Sequence, residues 1–446
     1  MVFWNVLIYI CLTFITSISV FAQTINLEQA RELALINSRS LARYEIAIRN
    51  SILDEKSQLY SMLPQVSAEY RASMYYLRNR EFVNPIDTLQ AGASLSITQI
   101  IFQGGKSFIQ KAISEISTES IRKDALAEYF NVLDAVDSAY YAALEAQAAF
   151  EAEGQSLKAS ELGLSIAEIR KEGGMINQGD YLKALTEKEA RENSYNQSRR
   201  NLSLSMIRFR NLTGITEDVK LAPVNFNAYE DMISLLASIS DENADTLYEK
   251  FLLVAAASNP SLAKAIISNK RAEMSHSLSL RDYSPTISAT IFSGDINFQN
   301  NSGLNTAGNG GITIRGSIPL DFWVLTNRME KSKAALESAA IDYINAEKSL
   351  EMELLNTLSN IYLQAGNILS SRRTLEYTEI HFEFVMERYR LSLSSVSDLT
   401  EATSLLMSGR NNLNKATYSF LQSLSKLRSI CAIDNEDELI SILLGN

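Results

Sequence analysis

The stretch Gln65-Val66-Ser67-Ala68-Glu69-Tyr70-Arg71-Ala72-Ser73-Met74-Tyr75-Tyr76 places an apolar residue at every even position and, Tyr75 apart, a polar one at every odd position. Period-two alternation makes a strand with one apolar face and one wet face. A polar loop holding Asn84-Pro85-Ile86-Asp87 follows, and a second alternating run sets Ala93, Leu95, Ile97 and Ile101 against Ser94, Ser96 and Thr98. Two strands joined by one loop predict a hairpin. A lone hairpin is barely stable in water, so this one must complete its sheet elsewhere.

Working outward, both flanks read as helix. The six prolines (Pro64, Pro85, Pro223, Pro260, Pro285, Pro319) leave 86–222 and everything after Leu320 free of them. Proline breaks helix interiors, so these tracts can hold very long helices. From Gly105 to about Lys171 the chain is rich in Ala, Leu, Glu, Lys and Ser. There Leu126, Tyr129, Leu133, Val136, Tyr140 and Ala143 recur at spacings of three and four, a heptad seam that asks for a partner helix. Val132, Ala139 and Ala146 add a second stripe. Gly154 and Gly163 weaken this helix without stopping it.

The chain also repeats itself at an offset of about 220 residues. Leu27-Glu28-Gln29-Ala30, Asn37-Ser38 and Pro64 head the first half; Leu247-Tyr248-Glu249-Lys250, Asn259-Pro260 and Pro285 head the second. Alternation returns after Pro285, with Ile287, Ala289 and Ile291 against Thr286, Ser288 and Thr290, and again at Ile312-Thr313-Ile314-Arg315-Gly316-Ser317-Ile318. Gly174-Met175-Ile176-Asn177-Gln178-Gly179-Asp180 aligns with Ser392-Leu393-Ser394-Ser395-Val396-Ser397-Asp398. The result is an internal duplication of helix, hairpin, long helix, tight turn and helix. It predicts strands at about 65–77, 91–102, 286–298 and 310–319. Their length of about ten residues suits an outer-membrane hydrocarbon layer. Four strands cannot close a barrel and lipid tolerates no open edge, so several chains must share one.

Composition excludes other classes. Residues 1–22 carry no charged side chain, and Val20-Phe21-Ala22 ahead of Gln23 reads as the end of a signal peptide, with the mature chain beginning at Gln23. Cys11 falls inside that segment, leaving Cys431 alone, so neither a disulfide nor a zinc cluster is expected. A net charge of −11 argues against nucleic acid. Gly105-Lys106-Ser107 imitates the end of a phosphate-binding loop, but the glycine required five residues earlier is Ile100; the glycine pair reads as the strand-to-helix joint. His276 and His381, the two histidines, fit no catalytic or metal spacing. No enzyme, cofactor or metal site is expected.

The order Leu-Glu-x-Ala at 27–30, Leu63-Pro64-Gln65, Ile101-Phe102-Gln103-Gly104-Gly105, Leu212-Thr213-Gly214, Ser317-Ile318-Pro319-Leu320 and Tyr389-Arg390-Leu391-Ser392 resembles the TolC-like outer membrane efflux proteins across nearly the whole mature chain. The resemblance implies a mixed α and β fold: a homotrimer with a twelve-stranded transmembrane β-barrel, four strands per chain, continued by a long periplasmic α-helical barrel. It implies an outer membrane duct of a Gram-negative bacterium, embedded in lipid and fed by an inner-membrane transporter through a periplasmic adaptor. The expected organisation is a signal peptide at 1–22, repeat one at 23–214, an equatorial connector at 215–243, repeat two at 244–432 and an equatorial tail at 433–446. Protein secretion through the same channel is the alternative route; a periplasmic coiled-coil rod is a further one, but a rod has no use for four strands.

The tip turns carry the candidate site. Asn177 with Asp180 and Ser395 with Asp398 have capping-box spacing, so each aspartate can cap its helix. Asp398 and Glu401 also share one helix face, and in a trimer converging on an axis they would form two rings of negative charge that favour cations. In the resembled family the matching carboxylates line the tip constriction. The resemblance makes Tyr389 a tether to the neighbouring hairpin at Asp180, and Gly174, Met175, Ile176, Ser392, Leu393 and Ser394 the adaptor-docking tip. Two departures stand out: Ser392 replaces a turn glycine, and Ser394 stands where well-known members carry a basic link.

Overall fold

The computed structural model describes residues 24–76, 87–293, 296–299, 304–305 and 310–444. The expected signal peptide, the Asn84-Pro85-Ile86 loop and parts of the loop between Gln299 and Gly311 lie outside the described residues, as do the side chains of Ser73, Met74 and Tyr76.

Each half opens with a helix pair, α1 (Leu27–Asn37) and α2 (Arg39–Tyr60) in the first, and α6 (Asp241–Ser258) and α7 (Pro260–Leu280) in the second. Their starts are capped by Asn26, Ser38, Ser240 and Asn259, whose side-chain oxygens each accept a backbone N–H of the first turn. Short strands β1 (Thr24–Ile25) and β4 (Lys220–Leu221) pair in parallel beside them.

The hairpin strands are β2 (Gln65–Tyr76) and β3 (Asp87–Phe102). The second half supplies β5 (Thr286–Phe292), β6 (Ile296–Gln299), β7 (Leu304–Asn305) and β8 (Gly311–Ser317). All pair antiparallel, with β3 between β2 and β5, and β5 between β3 and β8. The register aligns Val66 with Ile97, Ile97 with Ile291 and Ile291 with Ile312, so one apolar row crosses four strands. The adjoining rows alternate: Ser67 bonds Ser96 at 2.8 Å and Thr98 bonds Thr290 at 3.1 Å on the polar face. Tyr70 (71%) and Ile312 (72%) are exposed on the apolar face. Among the described residues the outer edges of β2 and β8 have no partner strand.

The third strand is interrupted where 286–298 was expected to run on. At Ser293 the ladder is kept by side chain as well as backbone: its N–H donates to the Leu95 carbonyl at 2.9 Å, and its hydroxyl accepts from the Leu95 N–H at 3.2 Å. A β-bulge at Ile101 shifts the other end of β3.

Gly104 and Gly105 turn strand into helix. Both are left-handed, at φ +66° and +77°, and a Cβ on Gly104 would lie 2.3 Å from Ser284 Cβ. Only glycine fits that crossing. Beyond it run α3 (Lys106–Glu172, 67 residues) and, in the second half, α8 (Phe322–Arg390, 69 residues), each about 100 Å long at 1.5 Å per residue. They return as α4 (Gln178–Thr213) and α9 (Val396–Cys431). α3 continues through Gly154 and Gly163.

The main core gathers where these helices meet α1, α6, α5 (Glu230–Ala237) and the C-terminal α10 (Glu436–Leu444). Leu133, Val136, Tyr140 and Ala143 of the expected seam are buried; Leu126 is 37% exposed, and Phe130 takes the inward place one turn on. Within this core Asp137, fully buried, accepts from Arg31 Nε and Nη2 at 2.7 Å each, from Ser425 Oγ at 2.7 Å and from Arg428 Nη2 at 3.1 Å. A buried carboxylate so satisfied binds α1, α3 and α9 to one another, and removing Asp137 would leave the buried Arg428 without its counter-charge. Among the described residues no single helix is long and apolar enough to cross a membrane.

Candidate functional site at the helical tip

Far from the sheet, α3 and α8 end in two turns built alike. In the first, Gly174 is left-handed at φ +70°, and the Met175 N–H donates to the Arg170 carbonyl at 2.8 Å. In the second, Ser392 takes the same conformation at φ +64°, and the Leu393 N–H donates to the Arg388 carbonyl at 2.8 Å. These are six-to-one helix stops that normally carry glycine. Serine there costs about 1–2 kcal/mol, so the missing glycine changes the energy of the turn, not its path.

The next helices start from side-chain caps. Asn177 Oδ1 accepts the Asp180 N–H at 2.9 Å. Ser395 and Asp398 form a complete capping box: Ser395 Oγ accepts the Asp398 N–H at 3.2 Å and Asp398 Oδ2 accepts the Ser395 N–H at 2.9 Å. The bond from the Ser395 backbone N–H, backed by its hydroxyl, holds the exposed Asp398 carboxyl below the usual carboxylate range. Asp398 is therefore a cap and a permanent negative charge at neutral pH. Glu401 is exposed beside it, while Leu399 and Ala402 turn inward. Both carboxylates thus stand on the open face of α9.

A small second core joins the hairpins: Ala167 and Ala184 meet Val385, Met386, Tyr389, Val396, Leu399 and Ala402, with Ile176 packed against them. The Tyr389 ring is fully buried. Its hydroxyl donates to the Gly163 carbonyl at 3.0 Å, not to Asp180, which corrects the expected tether within one chain. The partner is a helix carbonyl one hairpin away, at a residue with no side chain to shield it. Burial raises the Tyr389 pKa, with Arg170 opposing and the nearby Asp180 reinforcing the shift, so the hydroxyl remains a donor.

Other links between hairpins escaped sequence reading. Lys183 Nζ donates to Ser397 Oγ at 2.7 Å, and Arg191 Nη2 to Ser404 Oγ at 2.7 Å. Arg170 reaches across to the second turn, donating to the Tyr389 carbonyl and, at 3.5 Å, to the Ser394 carbonyl. The available signal was the basic pair Arg170-Lys171 just ahead of Gly173-Gly174, matched by Arg388 in the second repeat. At the apex Met175, Leu391 and Leu393 are exposed and Ile176 is half-buried, which leaves three large apolar side chains open at the turns.

Strand pairs feeding a helix about 100 Å long that turns back into a shorter one, twice in one chain, make the fold of the TolC-like outer-membrane channel proteins. Residues 30–215 and 252–432 match the outer membrane efflux protein family, and the chain belongs to it. That family is one of channels, not enzymes, and resides in the outer membrane with a periplasmic helical part. The chain is 21% identical to outer membrane protein TolC of Escherichia coli K12, over 96% of this chain and 86% of that protein. Its fold matches the CmeC outer membrane channel of Campylobacter jejuni with a TM-score of 0.77 at 15% identity, over 97% of this chain and 93% of that one. The MtrE outer membrane channel of Neisseria gonorrhoeae, in its open state, matches with a TM-score of 0.71 at 15% identity, over 93% of each chain.

Proposed function

We propose that three copies of this chain close a single twelve-stranded barrel and form the passive exit duct of a tripartite export system. The observation that supports this reading is the sheet: four strands with a continuous exposed apolar face and two unpartnered edges among the described residues. Open edges are not tolerated in lipid, and pairing β8 of one copy with β2 of the next removes all of them at three copies of four strands. The helices then continue the bore through the periplasm. At the far end the exposed Asp398 and Glu401 ring the axis and form a cation-favouring constriction. The apex formed by Gly174, Met175, Ile176, Ser392, Leu393 and Ser394 receives a periplasmic adaptor, which couples the duct to an inner-membrane pump. Residues 1–22 direct the chain across the inner membrane and are then removed, leaving Gln23 as the first residue of the mature chain.

Native mass in detergent, paired with planar-bilayer recording of the same sample, tests the proposal. A trimer that conducts supports it. A monomer or dimer that conducts is incompatible with a shared barrel.

A further inference from the structure

Arg170 is 6% exposed in the second core, yet its partners are not carboxylates. Its guanidinium carbon lies 4.3 Å from the centre of the Tyr389 ring. Its nitrogens donate to the Tyr389 carbonyl and, at 3.5 Å, to the Ser394 carbonyl, while Nε has no partner. Those carbonyls flank the left-handed Ser392, so one side chain of α3 staples both ends of the second turn. The Tyr389 carbonyl, in the last turn of α8, carries partial negative charge and the ring face is electron-rich, which is what lets a cation sit here without a counter-ion. Ser394 leads directly into Ser395, the residue that fixes Asp398. The repeat counterpart Arg388 does something different: it donates to Leu393 of its own turn at 3.1 Å.

We propose that Arg170 is a positioning residue of the gate, latching the second hairpin to the first within each chain and setting the resting spacing of Asp398 and Glu401. This rests on the trimeric-channel reading above. Any opening that draws α8 and α9 away from α3 must break the ring contact and both carbonyl bonds together.

The test uses full-length trimers carrying Arg170→Lys, which keeps the charge but not the planar two-carbonyl reach, or Arg170→Met, which keeps much of the packing without the charge. The open population should rise at least roughly tenfold in Arg170→Met, since a single charge-assisted hydrogen bond already accounts for that factor, and less in Arg170→Lys. A role in packing alone would leave resting conductance unchanged while lowering thermal stability. Deuterium uptake over residues 389–398 should quicken in parallel. If Arg170→Met fails to assemble, Arg170→Lys decides. Intact variant trimers with wild-type conductance and wild-type uptake would overturn the latch. Wild-type trimers carrying no current would instead sink the channel reading, and the uptake comparison would then judge the latch alone.

Discussion

Ile97→Lys and Thr98→Lys are adjacent substitutions that should behave as opposites. Ile97 sits in the apolar row between Val66 and Ile291, and Thr98 on the polar face bonded to Thr290 at 3.1 Å. The strand gives way to the Gly104 joint, and a strand tilted about 40° climbs roughly 2.5 Å per residue along the membrane normal. Ile97 is thus about 17 Å above the joint, well inside an apolar band about 25 Å tall. A lysine facing lipid there should cost about 2–4 kcal/mol per chain. At Thr98 the loss is one neutral hydrogen bond, about 1 kcal/mol, in a water-filled lumen. Folded fraction in liposomes across a urea series, read by the gel shift of the heat-modifiable barrel, gives both numbers. Equal destabilisation at the two sites, or tolerance at Ile97, would refute the facing of the sheet.

Three other substitutions probe the joint and the tip. Gly104→Ala should destabilise by about 1–3 kcal/mol, because the new methyl meets Ser284 Cβ at 2.3 Å in a left-handed backbone; the midpoint of thermal trimer dissociation reports it. Ser392→Gly should stabilise the second turn by roughly 1 kcal/mol, seen as slower amide exchange at Leu393 and Ser394. Asp398→Asn with Glu401→Gln should weaken cation selectivity and block by multivalent cations, measured as reversal potential in a salt gradient; unchanged selectivity would leave the carboxylates as helix caps. Because the folded Asp398 pKa is depressed, its stabilising bond is fully present above the ordinary carboxylate value near 3.9 and is lost as pH falls through the lower folded value.

What the sequence made legible follows from locality. Strand facing at 66–72 needs only neighbours two apart, and the Gly104-Gly105 joint needs only two glycines between a strand and a helix. The turns at Gly174 and Ser392 were found by internal alignment, which again compares short segments. The tip contacts were not legible because they join residues more than two hundred positions apart: Tyr389 with Gly163, and Arg170 with Tyr389 and Ser394. Nothing in a helix heptad says which carbonyl of another helix a buried tyrosine will reach. The expected Asp180 tether relied on resemblance, and here the tyrosine hydroxyl stays within reach of a side-chain-free helix position. Leu126 and Phe130 show the related limit of periodicity: Leu126 fits the seam and is 37% exposed, while Phe130 lies off it and is buried, because the arrival of neighbouring helices decides which face turns inward.

Closure of the barrel by neighbouring copies is the central claim, and cysteine pairing across the open edges tests it most directly. One cysteine replaces a polar-face residue of β2, from Ser67, Glu69 or Arg71, and one replaces Thr313 or Arg315 of β8; the native Cys431 is fully buried and does not compete. Oxidised in native membranes, at least one pairing should give covalent dimers and trimers in denaturing gels, with the ladder stopping at three. Linkage only within single chains, or a ladder running past three, would contradict a barrel shared by three copies.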